Sequence, residues 1–333
     1  MNKKDNIFII KLLKCKYKLI AIIIFIYCLL SIDIFGIYIK KNKLKVALCT
    51  MGKKENLYAR EYMAYYMRLG VDHMFIYDNN DIFTEKIEDV LDKKYKKKIT
   101  FFETRLLNIT YQKEAYNHCY KNNFKTFDWF IMIDMDEYLY IINDTLKDYL
   151  GNKVFDKCDF IKIHWAETLD NNLLYYDPRP LFQRFKKPYL KKRFIKSIIR
   201  GHISNLEYWV HSPFISPDKN VTCTNEGKII KYKNMNFESI KNINTNKAYF
   251  VHFTFKSTEE FINKYKRGYS NWHGIHGNQV LLQRIATYFH ENGATLEKIN
   301  YLEKELKLNL SVFRTLIYYN KSFNLFRKDL MIY

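Results

Sequence analysis

Asp134, Asp136 and Glu137 fall within four positions directly after the apolar run "WFIMI" (129–133), in a chain of net charge +20. On extended backbone, residues two apart point the same way, so the Asp134 and Asp136 carboxylates can face a common point. Like charges so close raise each other's pKa unless a cation lies between them. A hard divalent ion with oxygen ligands, Mn2+ or Mg2+, meets that need and also bridges to phosphate oxygens. The bland alternative is a solvated turn after a strand. His252, within the alternating stretch "AYFVHFTFKS" (248–257), suits a third metal ligand, although a histidine on a strand is often structural. The basic run "KKPYLKKRFIKSIIRG" (186–201) offers Lys196 and Arg200 to neutralise a departing diphosphate. Its plain reading is a solvated basic face.

Something must bring these groups together, and the order of elements does so. "KVALCT" (45–50), "HMFIY" (73–77), "ITFFE" (99–103), "WFIMI" and "FIKIHW" (160–165) read as strands with continuous apolar character. Helices fall between them: one from about Glu55 with a stripe of Tyr58, Tyr62, Tyr65, Tyr66 and Leu69, stopped by Gly70; a polar one near 85–92; and "TYQKEAYNHCYKN". Alternating strands and helices predict an α/β fold with a mostly parallel, Rossmann-like sheet flanked by helices. Ligands bind such sheets at the carboxyl ends of the strands, where Asp78 and Asp134 both fall. Neither G-x-G-x-x-G after the first strand nor a P-loop motif occurs, which disfavours nicotinamide and flavin dinucleotides and excludes a P-loop enzyme.

Residues 19–39, "LIAIIIFIYCLLSIDIFGIYI", are long enough to cross a hydrocarbon core of roughly 30 Å as a helix. Asp33 costs least near one end of such a span. The length, and the lack of an A-x-A-like cleavage site, favour an uncleaved anchor over a signal peptide. Six lysines precede it and four follow closely, which predicts a cytosolic tail (1–18), a transmembrane anchor (19–39) and a catalytic domain across the membrane. A domain over 45–285 and a helical extension over 286–333 complete the organisation. Sequons at Asn108, Asn143, Asn220, Asn309 and Asn320 agree with that orientation. Cys49, Cys119, Cys158 and Cys223 lack CxxC spacing, so a zinc site is disfavoured and their pairing stays open. Much of the positive charge flanks the anchor or spreads along the chain, so no nucleic-acid partner is expected.

The order "KKENLYAREYMAYYMRLGVDHMFIYDNND", "YQKEAYNHCY", "FDWFIMIDMDEYL", "DNNLLYYDPRPLFQRF", "KSIIRG" and "HFTFKSTEEFINKYKRG" resembles glycosyltransferase family 92 and its family 2-like bacterial relatives over about residues 45–270. The resemblance implies the GT-A fold and an inverting transfer of a hexose, galactose being one possibility, from a UDP-linked donor to a glycan acceptor. It implies that Asp134 and Asp136 hold the metal and the diphosphate, with His252 completing the coordination. It places Asp78, Asn79 and Asn80 in the nucleotide pocket, Glu55 and Arg60 in a donor-site block, and Asp170 and Asp177 near the acceptor. "GKKEN" and "WAETLDNN" depart from that pattern, lacking an Asn before Glu55 and a Gly before Asp170. Inversion requires a base distinct from the metal-bound aspartates. Asp177, then Asp170, then Glu167 are the candidates. A metal-dependent phospho- or nucleotidyltransferase and a silent carbohydrate binder are the alternatives. The expected membrane is the Golgi, as a type II protein, in a eukaryote, or the cytoplasmic membrane in a bacterium.

Overall fold

The computed structural model describes residues 20, 22–23, 26–27, 44–186, 188–213, 220–230, 245–267 and 278–318. Residues 1–44 and 45–333 form two separate units. In the first, Ile20, Ile22, Ile23, Ile26 and Tyr27 are helical and exposed. The rest of the predicted 19–39 span and the 1–18 tail lie outside the described residues. Among the described residues no helix is long and apolar enough to cross a membrane.

The second unit begins with β1 (Val46–Gly52), every residue of which is buried. Helix α1 (Asn56–Leu69) follows, burying Tyr58, Ala59, Tyr62, Met63 and Tyr66 along the predicted stripe. It stops where predicted: Gly70 has φ +106°, a conformation that costs glycine nothing. Next come β2 (His73–Asp78), two 3₁₀ turns over Ile87–Val90 and Lys93–Lys98 where a single polar helix was expected, and β3 (Ile99–Glu103). Helix α2 (Gln112–Asn123) leads into β4 (Trp129–Met132), and β5 (Glu137–Ile141) starts at the third carboxylate of the acidic cluster. The remainder runs through α3 (Leu146–Leu150), β6 (Phe160–Glu167), α4 (Leu181–Arg184), β7 (Tyr189–Arg200), β8 (Thr222–Thr224), β9 (Ile229–Ile230), β10 (Ala248–His252), α5 (Thr258–Lys266), α6 (Asn278–Asn292), α7 (Leu296–Leu306) and α8 (Ser311–Tyr318).

The sheet order is β3-β2-β1-β4-β7-β6-β10-β5, with β8 on β6 and β9 on β8. The expected mostly parallel sheet is instead mixed. β3, β2, β1 and β4 are parallel, but β7 runs antiparallel to both β4 and β6, and β5 antiparallel to β10. The correction has a clear source. The basic run, read either as a solvated face or as cations for a leaving group and not as a strand, is β7 itself, threaded between β4 and β6. One face of the sheet is closed by α2 through Ala115, Tyr116, Cys119 and Tyr120, packed on Cys49, Phe130 and Met132. Helices α5 to α8 build a second core around Phe261, Ile285, Tyr288 and Phe289.

Cys49 pairs with Cys119 and Cys158 with Cys223, at Cα separations of 6.3 and 5.8 Å, within the normal range for a bridge. Each bridge closes a long loop, of 70 and 65 residues. Opening the Cys158–Cys223 bridge with the Cys158→Ser, Cys223→Ser pair is expected to lower the unfolding free energy by about 2–4 kcal/mol, read as a lower thermal midpoint.

Because β4, β6 and β10 point the same way as β1 to β3, their carboxyl ends share one edge with the amino end of β5. That edge carries Gly52, Asp78, Asp134, Asp136, Glu137, Glu167 and His252.

Candidate active site

The acidic turn is built by β4 ending at Met132 and β5 starting at Glu137. The Glu137 amide bonds the Asp134 carbonyl at 3.1 Å, and the Phe253 amide bonds the Asp136 carbonyl at 2.9 Å. Met135 packs onto the end of β1, where a side chain at Gly52 would collide with Met135 Sδ and Ile87 Cδ1. The glycine is required by that close approach. Tyr66 fixes the far side: its hydroxyl donates to the Glu137 carbonyl at 2.9 Å and accepts from the Leu139 amide at 2.8 Å.

Asp134 is the most accessible of the three carboxylates, its side chain 28% exposed. It accepts from Gln112 Nε2 and, at 3.1 Å, from the Tyr116 hydroxyl, and Lys196 Nζ lies 3.3 Å from its second oxygen. Asp136 is buried, 2.5 Å from Lys264 Nζ and 3.6 Å from His252 Nε2. Burial alone would raise the Asp136 pKa. The charges of Lys264 and His252 outweigh it and hold the carboxyl well below the usual carboxylate range. Glu137 behaves oppositely: burial, with Asp134 and Asp136 adding to it against the pull of Lys196, pushes it well above that range. In the sheet register His252 sits between Glu137 and Glu167, so a row of titratable groups crosses three strands.

Asp136 and His252 offer one carboxylate and one imidazole 3.6 Å apart, donor types that a divalent ion accepts. Asp136 Oδ1 and His252 Nε2 are close enough to share one ion, and His252 Nδ1 and Glu137 Oε1 are buried without hydrogen-bond partners among the described residues. Among the described residues no group of three or more His, Cys, Asp or Glu side chains is placed to hold a metal ion. Mg2+-type sites commonly use one or two carboxylates and leave the other positions to phosphate and water.

The other sequence-derived candidates divide. Asp78 accepts from the Asn80 and Ile87 amides at 2.9 and 2.8 Å, so it shapes the loop after β2. Asn79 accepts from Thr104 Oγ1 at 3.0 Å. Asn80 Oδ1 accepts from the Lys54 amide at 2.5 Å, joining that loop to the one after β1. Glu55 is buried on Arg267 at 2.5 Å, with Oε2 unpartnered. Arg60 is exposed and donates outward to the Val90 carbonyl at 3.3 Å. Lys196 does reach the acidic turn, but it is fully buried, 3.5 Å from Glu137 and bonded to the Val210 carbonyl at 3.1 Å, which leaves it a fixed internal counter-charge.

Arg200 pairs in register with Trp129, the first residue of β4. That lies roughly five residues, or about 16 Å, from Asp134 along the strand. It stacks on the Trp129 ring at 4.3 Å and donates to the Cys158 carbonyl at 2.6 Å. Its place is the opposite edge of the sheet.

Asp170 is 1% exposed and has both oxygens engaged: Oδ1 by the Asn172 amide at 2.9 Å, Oδ2 by Tyr288 at 2.5 Å and Lys298 at 2.6 Å. This geometry makes it a clamp on the α6–α7 core. Asp177 lies on a loop, gripped by Arg179, whose hydrogen bond holds the carboxyl at about 2. Gln112, Tyr116 and Lys264 are site residues that sequence reasoning missed, and Glu137 was seen in the acidic cluster but given no role. Gln112 and Lys264 stood in the quoted "YQKEAY" and "INKYKRG" blocks, but nothing in those blocks says which residue faces a carboxylate.

The site is thus a carboxylate pair at the carboxyl edge of an α/β sheet, with a histidine and two lysines against it. The sequence model of glycosyltransferase family 92 matches residues 42–267, most of the chain. The chain belongs to that family. A family 92 protein of Oryza sativa subsp. japonica is 32% identical over 108 residues, covering 32% of this chain and 18% of that protein. One of Ricinus communis is 27% identical over 111 residues, covering 33% of this chain and 19% of the relative. The chain thus matches less than a fifth of the length of these curated relatives.

Proposed function

We propose that this chain is an inverting, metal-assisted glycosyltransferase of GT-A architecture that moves a hexose from a UDP-linked donor to a glycan acceptor. Family membership supports the reaction class, and the Asp134–Asp136 turn at the carboxyl edge, with His252 beside it, is the observation that carries the reading. Asp136 and His252, with Asp134, would hold Mn2+ or Mg2+, which when bound supplies Lewis-acid stabilisation of the leaving diphosphate. The chain's own residues do the rest. Lys196 and Lys264 hold the two aspartates in place, and Gln112 and Tyr116 orient Asp134. The loops after β1 and β2 supply the nucleotide pocket.

In the transfer, the acceptor oxygen forms the new bond to the anomeric carbon and gives up its proton. The bond to the diphosphate oxygen breaks, and that oxygen keeps the electron pair. We assign the proton to Glu167, which stands on the same edge as the acidic turn, beside His252 in register. Asp177 is a weak base at about 2, and Asp170 has no oxygen left for a substrate. Glu167→Gln is therefore expected to lower kcat about 10²- to 10⁴-fold, whereas Asp177→Asn changes it less than about threefold. Loss of activity in Asp177→Asn with retention in Glu167→Gln would reverse that assignment.

Residues 19–39 would anchor the chain, and the two cysteine pairs agree with a catalytic unit on the oxidising side of the membrane. The reading is tested by incubating the full chain in detergent with a panel of nucleotide sugars and Mn2+. Release of UDP is expected, and incorporation of phosphate into product would point to a phosphotransferase instead.

A further inference from the structure

The loop after β1 and helix α5 enclose a cavity of about 510 Å³, whose wall includes five cations and three carboxylates. Almost every one of these charges already has a partner. Arg267 holds Glu55 at 2.5 Å, Lys54 reaches Asp81 at 2.7 Å, and Lys266 reaches Glu305 at 3.0 Å. Glu260 is taken by Arg184 at 2.8 Å, and Glu259 accepts from the Tyr176 amide at 2.7 Å. Lys264 lies 2.5 Å from Asp136 and so connects the cavity to the acidic turn.

Lys256 differs from all of them. It is 4% exposed, has no carboxylate within 4 Å and no hydrogen-bond acceptor among the described residues, and rests its ammonium over the Tyr58 ring at 4.2 Å. Its backbone is left-handed, φ +57°, at the position before Ser257, the N-cap of α5. A lysine in that conformation is strained by about 1 kcal/mol. Burial lowers its pKa, with the fields of Glu55, Asp136 and Glu260 acting against that fall. Strain, and a cation with no direct ion pair among the described residues, in the wall of a cavity, point to a ligand that supplies a closer anion.

We propose that Lys256 is the leaving-group cation of this enzyme, binding the diphosphate of the nucleotide donor in this cavity. It takes the role that Lys196, locked in the core, and Arg200, at the opposite edge, cannot fill. The proposal rests on the transferase reading for the identity of the ligand. The shared chemistry is a phosphate oxygen, whether it comes from the donor or from a free anion.

The test is calorimetric binding of inorganic pyrophosphate and of UDP to the full chain, with and without Mn2+, alongside donor turnover. The variants are Lys256→Gly, which tolerates φ +57° and deletes the ammonium, and Lys256→Arg, which keeps the charge. Lys256→Gly is expected to bind pyrophosphate and UDP at least about tenfold more weakly at an unchanged or higher thermal midpoint, and Lys256→Arg to stay within about threefold of wild type. Tighter binding of UDP than of pyrophosphate identifies the donor as the source. Wild-type affinity for both ligands in Lys256→Gly overturns the proposal, even if sugar transfer is intact. Loss of pyrophosphate binding in that variant, with no nucleotide sugar consumed by wild type, upholds the phosphate site and sinks the transferase reading instead.

Discussion

Asp136→Asn is expected to leave a folded chain that transfers sugar at least about 10²- to 10³-fold more slowly, the loss seen when one preorganised group facing transition-state charge is removed. The amide keeps the size of the side chain and can still accept from Lys264, but it no longer offers an anionic ligand beside His252. The opposing effect is on stability. Removing a buried carboxylate relieves its desolvation but leaves Lys264 without its counter-charge. Lys264 is a fifth exposed and also donates to the Thr254 carbonyl at 3.3 Å, so water and that carbonyl take over much of the solvation. A small change in thermal midpoint is therefore expected beside a large fall in kcat. The check is UDP release measured with thermal unfolding on the same preparation. A collapse of the midpoint with proportionate activity in the surviving folded fraction would make Asp136 structural.

The largest stability effect is expected at Glu260. This carboxylate accepts from Arg184 twice, at 2.8 and 3.1 Å, from Tyr58 Oη and from the Ser257 amide at 2.9 Å, closing the capping box of α5. Arg184 and Glu260 side chains are 1% and 5% exposed, so either partner alone would be an uncompensated buried charge. Glu260→Ala is expected to cost about 3–5 kcal/mol and to lower the thermal midpoint by about 6–15 °C. Burial would raise the Glu260 pKa, but the bonds from Arg184, Ser257 and Tyr58 overcome it and the group is depressed. A depressed carboxylate contributes stability that is complete above its unfolded pKa, about 4.3, and is lost as pH falls through the folded value. The gap between wild type and Glu260→Ala is therefore expected to be widest near neutrality and to narrow below about pH 4. Midpoints measured across that range decide it, and a constant gap would mean that the pair carries little of the stability.

These two residues also illustrate what the sequence discloses. The strands at 46–52, 73–78, 99–103, 129–132 and 160–167, and the tyrosine-striped helix ended by Gly70, were legible because local periodicity and one stop residue encode them. The acidic turn was legible for the same reason, being contiguous. β7 was not, because its lysines and arginines read as a solvated face. Burial of Lys196 depends on Asp134 and Glu137, some sixty residues earlier in the chain. β5 was missed because it begins at the last of the clustered carboxylates and is only five residues long. Asp170 drew attention through the family resemblance and Arg200 through the basic run, while the tertiary partners that fix them, Tyr288 and Lys298 in one case and Trp129 in the other, are far away in the chain. Lys256 gave no signal at all. Only its backbone angle and its lack of a direct ion pair among the described residues mark it.

The central claim is that the carboxyl-edge turn of Asp134 and Asp136 activates a nucleotide sugar. The most direct measurement is UDP release from a nucleotide-sugar panel by the full chain with Mn2+, run beside the Asp134→Asn, Asp136→Asn double variant. Release by the wild type and none above background by the double variant is the expected result. Undiminished release by the double variant would contradict the account.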